Sequence, residues 1–141
     1  MTLRIGEVAE RSGVTPRTIR YYEELGLLPR SERKQGKHRI YSEVDVERLR
    51  EVTRLRDLLG LSLDELRSMF IAEDVRAELR RRFHETDSRE ERLELIDRAL
   101  PHIDTQLELV RRRLSELQEL EADLVERRKR MVRRKRELGS V

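Results

Sequence analysis

The stretch Thr15-Pro-Arg-Thr-Ile-Arg-Tyr-Tyr22 decides the fold of this chain. Thr15 can cap a helix, and Pro16 suits the first helical turn, where its missing N–H costs nothing. At about 100° per residue, Ile19 and Tyr22 point to one side of this helix. The other side offers two guanidinium groups, a hydroxyl and a phenol, with no carboxylate among them, from Arg17, Thr18, Arg20 and Tyr21.

The residues before this stretch complete a two-helix unit. The segment from Ile5 to Gly13 has the pattern of a short helix, and Gly13 supplies the turn after it. A short helix, a glycine-bearing turn and a basic helix together predict a helix-turn-helix, whose second helix enters the major groove of DNA. An ordinary helical corner with a solvated basic face is the alternative that this segment alone leaves open.

A basic segment follows the second helix. Gly26-Leu-Leu-Pro29 ends the helix and turns the chain, and residues 30–41 then carry five basic side chains against one acidic. A turn signal at Gln35-Gly36 and strand formers at Ile40 and Tyr41 predict a β-hairpin, or wing. Its cations would contact phosphates beside the groove. A solvated charged loop is the alternative, which the preceding helix-turn-helix makes less favourable.

Further helices are predicted downstream. Capping-box patterns begin one helix at Ser42, which Gly60 ends, and a second, short helix at Ser62. Their apolar sides are Val46, Leu49, Val52, Leu55 and Leu59 in the first and Leu66, Met69 and Phe70 in the second. A separate short helix is predicted from Asp74 to near His84, on the spacing of Val75, Leu79 and Phe83. Residues 1–70 would form the DNA-binding domain and 71–92 a connecting helical segment.

The second half of the chain has the apolar spacing of a coiled coil. Three- and four-residue steps relate Leu93, Ile96, Leu100, Ile103, Leu107, Val110, Leu114 and Leu117. Residues 93–138 therefore predict a dimerisation helix, and a second copy of the chain is the simplest partner for its apolar stripe. A hairpin within one chain is the alternative. Pro101 predicts a kink in this helix, with a break there left open.

Composition narrows the function classes. The 141 residues are 43% charged and 4% aromatic, which suits long exposed helices more than a large core. There is no cysteine, which excludes thiolate metal sites and disulfides. No catalytic constellation, cofactor motif, signal run or membrane span is evident, and the three histidines are scattered. We therefore expect a non-enzymatic cytoplasmic protein without cofactor or metal. The charge distribution, with basic ends around an acidic middle, indicates a polyanionic partner.

The chain resembles the MerR family of bacterial transcription regulators over residues 3–70. The matching elements are Ile5-Gly-Glu-Val-Ala, Thr15-Pro-Arg-Thr-Ile-Arg-Tyr-Tyr-Glu-Glu, Gly26-Leu-Leu-Pro, Arg39-Ile-Tyr41 and Leu61-Ser-Leu-Asp-Glu-Leu66. The resemblance implies a mainly α fold: a winged helix-turn-helix followed by a long helix that forms an antiparallel coiled-coil homodimer. It departs at Gly36-Lys-His-Arg39, which holds one residue more between glycine and arginine than the usual Asn-Gly-Tyr-Arg wing tip.

The resemblance also implies a function. Members of the family bind a two-fold operator within a promoter. They bend and untwist the over-long spacer of that promoter, so that RNA polymerase engages both promoter elements. Such a protein would be nucleoid-associated. The candidate DNA-binding residues are Arg17, Thr18, Arg20, Tyr21, Arg30, Lys37, His38, Arg39 and Tyr41. An architectural or adaptor coiled-coil protein is the alternative class. The basic run at 127–136 suits the dipole of a helix C-terminus, with a second nucleic-acid contact as the alternative.

Overall fold

The structure is a computed structural model and describes residues 2–28, 32–34 and 38–140. Within these ranges the elements are α1 (Ile5–Ser12), α2 (Pro16–Glu24), β1 (Glu32–Lys34), β2 (His38–Ile40), α3 (Glu43–Leu59), α4 (Leu63–Glu85) and α5 (Arg89–Gly139). The chain divides into two compact units, Met1–Gln106 and Leu107–Val141. The fold is mostly helical, with an N-terminal helix-turn-helix and a long C-terminal helix, as the sequence predicts.

The helix-turn-helix is formed by α1 and α2, which pack against each other. Gly13 ends α1 with φ of 76°, a left-handed conformation that glycine adopts without steric cost, and its N–H donates to the Ala9 carbonyl at 2.9 Å. A second glycine in this conformation, Gly26 with φ of 79°, follows α2. Both predicted turns are therefore confirmed.

Two short strands follow the helix-turn-helix. β1 and β2 pair antiparallel, with partners Glu32 and Ile40, Arg33 and Arg39, and Lys34 and His38. The predicted turn at Gln35-Gly36 lies outside the described residues. After β2 the chain pairs with the N-terminal segment. The Leu3 N–H donates to the Tyr41 carbonyl and the Tyr41 N–H donates to the Leu3 carbonyl, each at 2.8 Å.

Helices α3 and α4 begin as the capping patterns predict. The Ser42 N–H donates to the Asp45 carboxylate at 2.9 Å, and the Ser62 N–H donates to the Glu65 carboxylate at 3.0 Å. The prediction of two short helices around residues 62–84 is wrong, because α4 is a single helix from Leu63 to Glu85. No glycine or proline interrupts this range, so the shift in apolar spacing near Asp74 marks a change of face within one helix.

The core lies within the first unit. It is made by apolar side chains from the N-terminal segment, α1 to α4 and the first turns of α5, of which the least exposed are Leu3, Val8, Ile19, Tyr22, Leu27, Leu28, Tyr41, Val46, Leu49, Val52 and Leu66. α3 packs against both α1 and α4. The helix-turn-helix is thus held on a scaffold of two further helices.

α5 runs without interruption through Pro101, so the predicted alternative of a break is excluded. The Thr105 hydroxyl donates to the Pro101 carbonyl at 3.0 Å. Leu95 is buried in the first unit, a position that the predicted apolar stripe omits. Gln106 also belongs to the first unit, and its amide donates to the Met69 carbonyl at 3.3 Å and to the Glu73 carboxylate at 3.0 Å.

Candidate nucleic-acid interface

A side-chain cap fixes the start of α2. The Thr15 hydroxyl oxygen accepts the Thr18 N–H at 3.2 Å, and the same hydroxyl donates to the Thr18 hydroxyl at 2.9 Å. Pro16 occupies the first turn, as predicted. Because the cap satisfies one of the free N–H groups at the helix start, the backbone is well defined where the exposed side chains begin.

The exposed side of α2 brings the four predicted helix residues together. This reading face is lined by Arg17, Thr18, Arg20, Tyr21 and Glu24. Arg17, Arg20 and Tyr21 are exposed, whereas Thr18 is half-buried and its hydroxyl is engaged by the cap. In the part of the chain that the structure describes, neither guanidinium group makes a hydrogen bond or an ion pair. Both are therefore available to an external acceptor.

Glu24 adds a carboxylate that the sequence analysis missed. It follows Arg17 and Arg20 at seven and four residues, so it lies on the same side of the helix, and its side chain is exposed. Helical spacing alone places Glu24 on this side of α2, one turn after Arg20. Its presence makes the reading face chemically mixed, with donors and one strong acceptor.

The opposite side of α2 is anchored in the core. Ile19 is 0% exposed and Tyr22 is also buried. The Tyr22 hydroxyl accepts a hydrogen bond from the Arg56 guanidinium at 3.0 Å, which ties α2 to α3. The predicted division of α2 into a solvent side and a core side is thus confirmed.

Arg48, on α3, links the turn after α2 to α4. Its Nε donates to the Leu27 carbonyl at 2.9 Å, and its two terminal nitrogens donate to the Asp74 carboxylate at 2.8 and 2.9 Å. Its guanidinium carbon also lies 4.3 Å from the centre of the Phe70 ring. The two parallel hydrogen bonds to Asp74 and the bond to the Leu27 carbonyl together hold the turn after α2 against α3 and α4. The role of Arg48 is not evident from the sequence, because its partners are distant in the chain.

Tyr41 does not belong to the exposed surface. Its side chain is 2% exposed and its hydroxyl donates to the buried Glu23 carboxylate, so the predicted DNA contact by this side chain is wrong. Burying the ring removes apolar area from water, and Glu23 satisfies the hydroxyl that burial would otherwise leave unpaired. Tyr41 therefore anchors the segment after β2 to α2.

Replacing Tyr41 with phenylalanine separates these two roles. The variant should lose about 1–3 kcal/mol of unfolding free energy in urea, because a hydrogen bond to a buried carboxylate is lost. Its affinity for duplex DNA should be unchanged. Tyr21→Phe is the matched control, since that exposed hydroxyl should contribute little to stability. A Tyr41→Phe protein of full stability and reduced DNA affinity would restore the original assignment.

The remaining predicted wing residues divide into two groups. His38 and Arg39 lie in β2, at positions paired with Lys34 and Arg33. Arg30 and Lys37 lie outside the described residues. Of these four residues, the structure therefore places the backbone of His38 and Arg39 only.

The apolar stripe of α5 is exposed in a single chain. Seven of its eight predicted members are exposed, namely Leu93, Ile96, Leu100, Leu107, Val110, Leu114 and Leu117, and Ile103 is half-buried. In the first unit, Leu79, Phe83, Leu95 and Ile96 contribute to a groove of about 290 Å³ between α4 and α5. A row of exposed apolar side chains on a charged helix is the pattern of an interaction surface.

Among residues 2–28, 32–34 and 38–140, no group of three histidine, aspartate or glutamate side chains could hold a metal ion. Over the same residues, every helix is too short or too polar to cross a membrane.

The fold and the basic exposed side of α2 define a helix-turn-helix regulatory protein. Residues 3–73 match the family model described as MerR HTH family regulatory protein. The HTH-type transcriptional regulator YfmP of Bacillus subtilis (strain 168) is 41% identical over 112 residues, which cover 77% of this chain and 77% of that protein. The chain therefore belongs to the MerR family of DNA-binding transcription regulators.

Other relatives match over shorter stretches. The mercuric resistance operon regulatory protein of Bacillus cereus is 47% identical over 66 residues, which cover 47% of this chain and 49% of that protein. Several other curated relatives are likewise matched over less than half of their own length. Among solved structures, HiNmlR, a MerR family regulator lacking the sensor domain and bound to promoter DNA, is 25% identical, with a TM-score of 0.48 and coverage of 82% of this chain and 80% of that chain.

Proposed function

We propose that this protein is a dimeric, sequence-specific regulator that binds a two-fold promoter operator through the reading face of α2. The observation that carries the proposal is the exposure of two uncommitted guanidinium groups, Arg17 and Arg20, beside Tyr21 on a capped helix anchored in the core. Arginine pairs with the O6 and N7 acceptors of guanine in the major groove. Glu24 would be repelled by phosphates, so it suits a base edge such as the cytosine amino group.

The strands β1 and β2 supply the second part of the proposal. They follow α2 directly, in a segment with five basic side chains against one acidic. We assign them as the wing, whose residues Arg30, Lys37, His38 and Arg39 contact phosphates beside the reading face. Such contacts fix orientation and register and contribute little to sequence preference. The family membership supports this role.

The proposed dimer is an antiparallel coiled coil of two α5 helices from residues 93–138. Its support is the exposed apolar stripe from Leu93 to Leu117, together with the apolar groove beside Ile96. A second copy of the same stripe would remove both surfaces from water. In this arrangement residues 1–70 form the DNA-binding domain and residues 71–92 connect it to the dimer helix.

DNA retention tests the proposed function. Genomic fragments that the purified protein retains should share one two-fold motif, beginning with the promoter of its own gene. Binding to that motif should be far tighter than to random duplex, typically by about 10³–10⁷, and should weaken with salt. Equal affinity for every duplex would favour an architectural protein, and no retention at all would favour an adaptor.

Distortion of the operator is the expected consequence of a rigid dimer. A coiled coil holds two reading faces at a fixed separation, while the DNA sets the separation of its half-sites. When these differ, the duplex can bend at a cost of about 1–6 kcal/mol, which phosphate contacts by the wing offset. We therefore propose that the protein bends and underwinds its operator without contacting the central base pairs, so that RNA polymerase engages both promoter elements.

Circular-permutation gels and topoisomer shifts measure the two distortions separately. The saturated complex should show position-dependent mobility and a loss of DNA twist. A random duplex of the same length and base composition is the control for bending by the sequence itself. A straight operator with normal twist would leave a DNA-binding dimer whose mechanism is steric repression.

A further inference from the structure

The end of α5 carries a cation run that the proposed function does not use. Residues 126–138 contain eight basic side chains and two acidic ones, and all eight basic side chains are exposed. The protein as a whole has a net charge of +3, so the rest of the chain is net negative. This run is therefore a second basic segment, besides residues 30–41 with their five basic side chains against one acidic.

The helix dipole accounts for little of this run. α5 ends at Gly139, and Arg136 is the basic residue of its last turn. The favourable interaction between a cation and the dipole falls off within that turn. Arg127 and Arg130 lie more than two turns before the end, so their positions require another explanation.

Ion pairing within the helix does not account for the run either. Within the described residues, the cation run forms one ion pair, between the exposed side chains of Lys129 and Glu126 at 3.3 Å. Like charges three and four residues apart on a helix repel each other. The run consequently destabilises an isolated α5, and an external polyanion would relieve that repulsion.

Three arginines form a row that matches a phosphate backbone. Arg127, Arg130 and Arg134 follow at steps of three and four and line one surface together with Met131, Arg133 and one carboxylate, that of Glu137. The seven-residue interval covers about 10 Å along the helix. Over that distance one strand of a duplex presents about three phosphates, at 3.4 Å each along the axis. Arginine is also the cation whose planar donors fit phosphate oxygens in pairs.

We propose that residues 127–136 are a second, sequence-independent contact to the phosphate backbone of duplex DNA. A single-stranded nucleic acid is a poorer fit, because stacking on aromatic rings carries much of that binding and residues 127–136 contain no aromatic ring. A membrane surface is also a poorer fit, since an interfacial helix needs one broad apolar face and these cations surround the helix. The choice of DNA over RNA rests on the proposed function.

Salt dependence of binding tests the inference with the full-length protein. The probe is a random-sequence DNA duplex of about 40 base pairs, long enough for a non-specific complex, titrated between about 50 and 200 mM salt. The variant is Arg127→Gln/Arg130→Gln/Arg134→Gln, and its rescue is the corresponding triple lysine protein. The control is Arg89→Gln/Arg98→Gln/Arg111→Gln, which removes the same charge from exposed positions earlier in α5.

The triple glutamine variant should have a slope of log affinity against log salt that is shallower by about 2–3 per chain. The lysine and control proteins should keep the wild-type slope, and circular dichroism should show α5 intact in all of them. Equal slopes for wild type and the glutamine variant would overturn the inference. A smaller mass of the glutamine variant in light scattering would also overturn it, because the run would then serve assembly. Loss of binding to phosphatidylcholine–phosphatidylglycerol vesicles with an unchanged DNA slope would overturn it in favour of a membrane contact.

The same measurement in an Arg20→Ala background separates this inference from the proposed function. Arg20 belongs to the reading face, whereas the cation run belongs to a different unit of the chain. Arg20 is proposed to contact a base, so if the reading face does not bind DNA, Arg20→Ala leaves the affinity for the retained genomic fragments unchanged while the glutamine substitutions still reduce the salt slope on random duplex. If the cation run does not bind DNA, the glutamine substitutions have no effect in either background.

Discussion

Replacing Ile19 with alanine should lower the free energy of unfolding by about 2–5 kcal/mol. Ile19 is 0% exposed on the inner side of α2, so truncation removes buried methyl groups and leaves a cavity. Arg20 is its neighbour on the reading face, and Arg20→Ala should leave stability within about 0.5 kcal/mol because its side chain is exposed. Urea unfolding of the two variants measures this difference directly.

Operator binding should show the reverse order. Loss of a paired arginine–guanine contact is expected to cost about 1–3 kcal/mol, or roughly ten- to a hundredfold in affinity, for Arg20→Ala. Arg67→Ala, which removes an exposed cation from α4, is the matched control and should bind like wild type. Ile19→Ala should bind normally once the folded fraction is taken into account. Equal destabilisation by Ile19→Ala and Arg20→Ala would contradict the division of α2 into a core side and a solvent side.

Local chemistry made the helix-turn-helix predictable. Thr15, Pro16 and Gly13 each act through their own backbone conformation or through residues three or four positions away, and the sequence contains all of that information. The same holds for the capping boxes at Ser42 and Ser62. Boundaries set by such signals were predicted to within a residue or two.

Contacts between distant residues were not predictable in this way. The family resemblance implies a DNA contact for Tyr41, whereas its burial depends on the pairing with Leu3 and on Glu23, both distant in the chain. The role of Arg48 depends in the same way on Leu27 and Asp74, which lie 21 and 26 residues away. The continuity of α4 was missed because a change in apolar face was interpreted as a helix end.

The α5 stripe is exposed in the single chain. Leu107 is 38% exposed and Leu114 is 53% exposed, although both belong to a regular apolar repeat. The repeat predicts a partner helix, and exposure in the single chain agrees with that need. Neither observation identifies the partner, so the dimer is tested most directly by making the stripe incompatible with a dry interface.

Replacing both Leu107 and Leu114 with aspartate should convert the dimer to monomers. Pairing would then bury two carboxylates per chain against apolar side chains, a cost that separation of the chains avoids. Light scattering should report the mass of one chain, and operator affinity should fall by several orders of magnitude because the two reading faces are no longer linked. The effect on binding should therefore exceed that of Arg20→Ala.

A control on the same helix distinguishes assembly from helix stability. Arg112→Asp/Ser115→Asp also introduces two aspartates with a short spacing, but these exposed positions lie off the apolar stripe by helical spacing. This variant should remain dimeric and bind the operator like wild type, whereas the Leu107/Leu114 variant should keep the secondary structure of residues 1–106 in circular dichroism. A Leu107/Leu114 variant that remained fully dimeric would remove the stripe from Leu93 to Leu117 as the interface, and the coiled-coil mechanism with it.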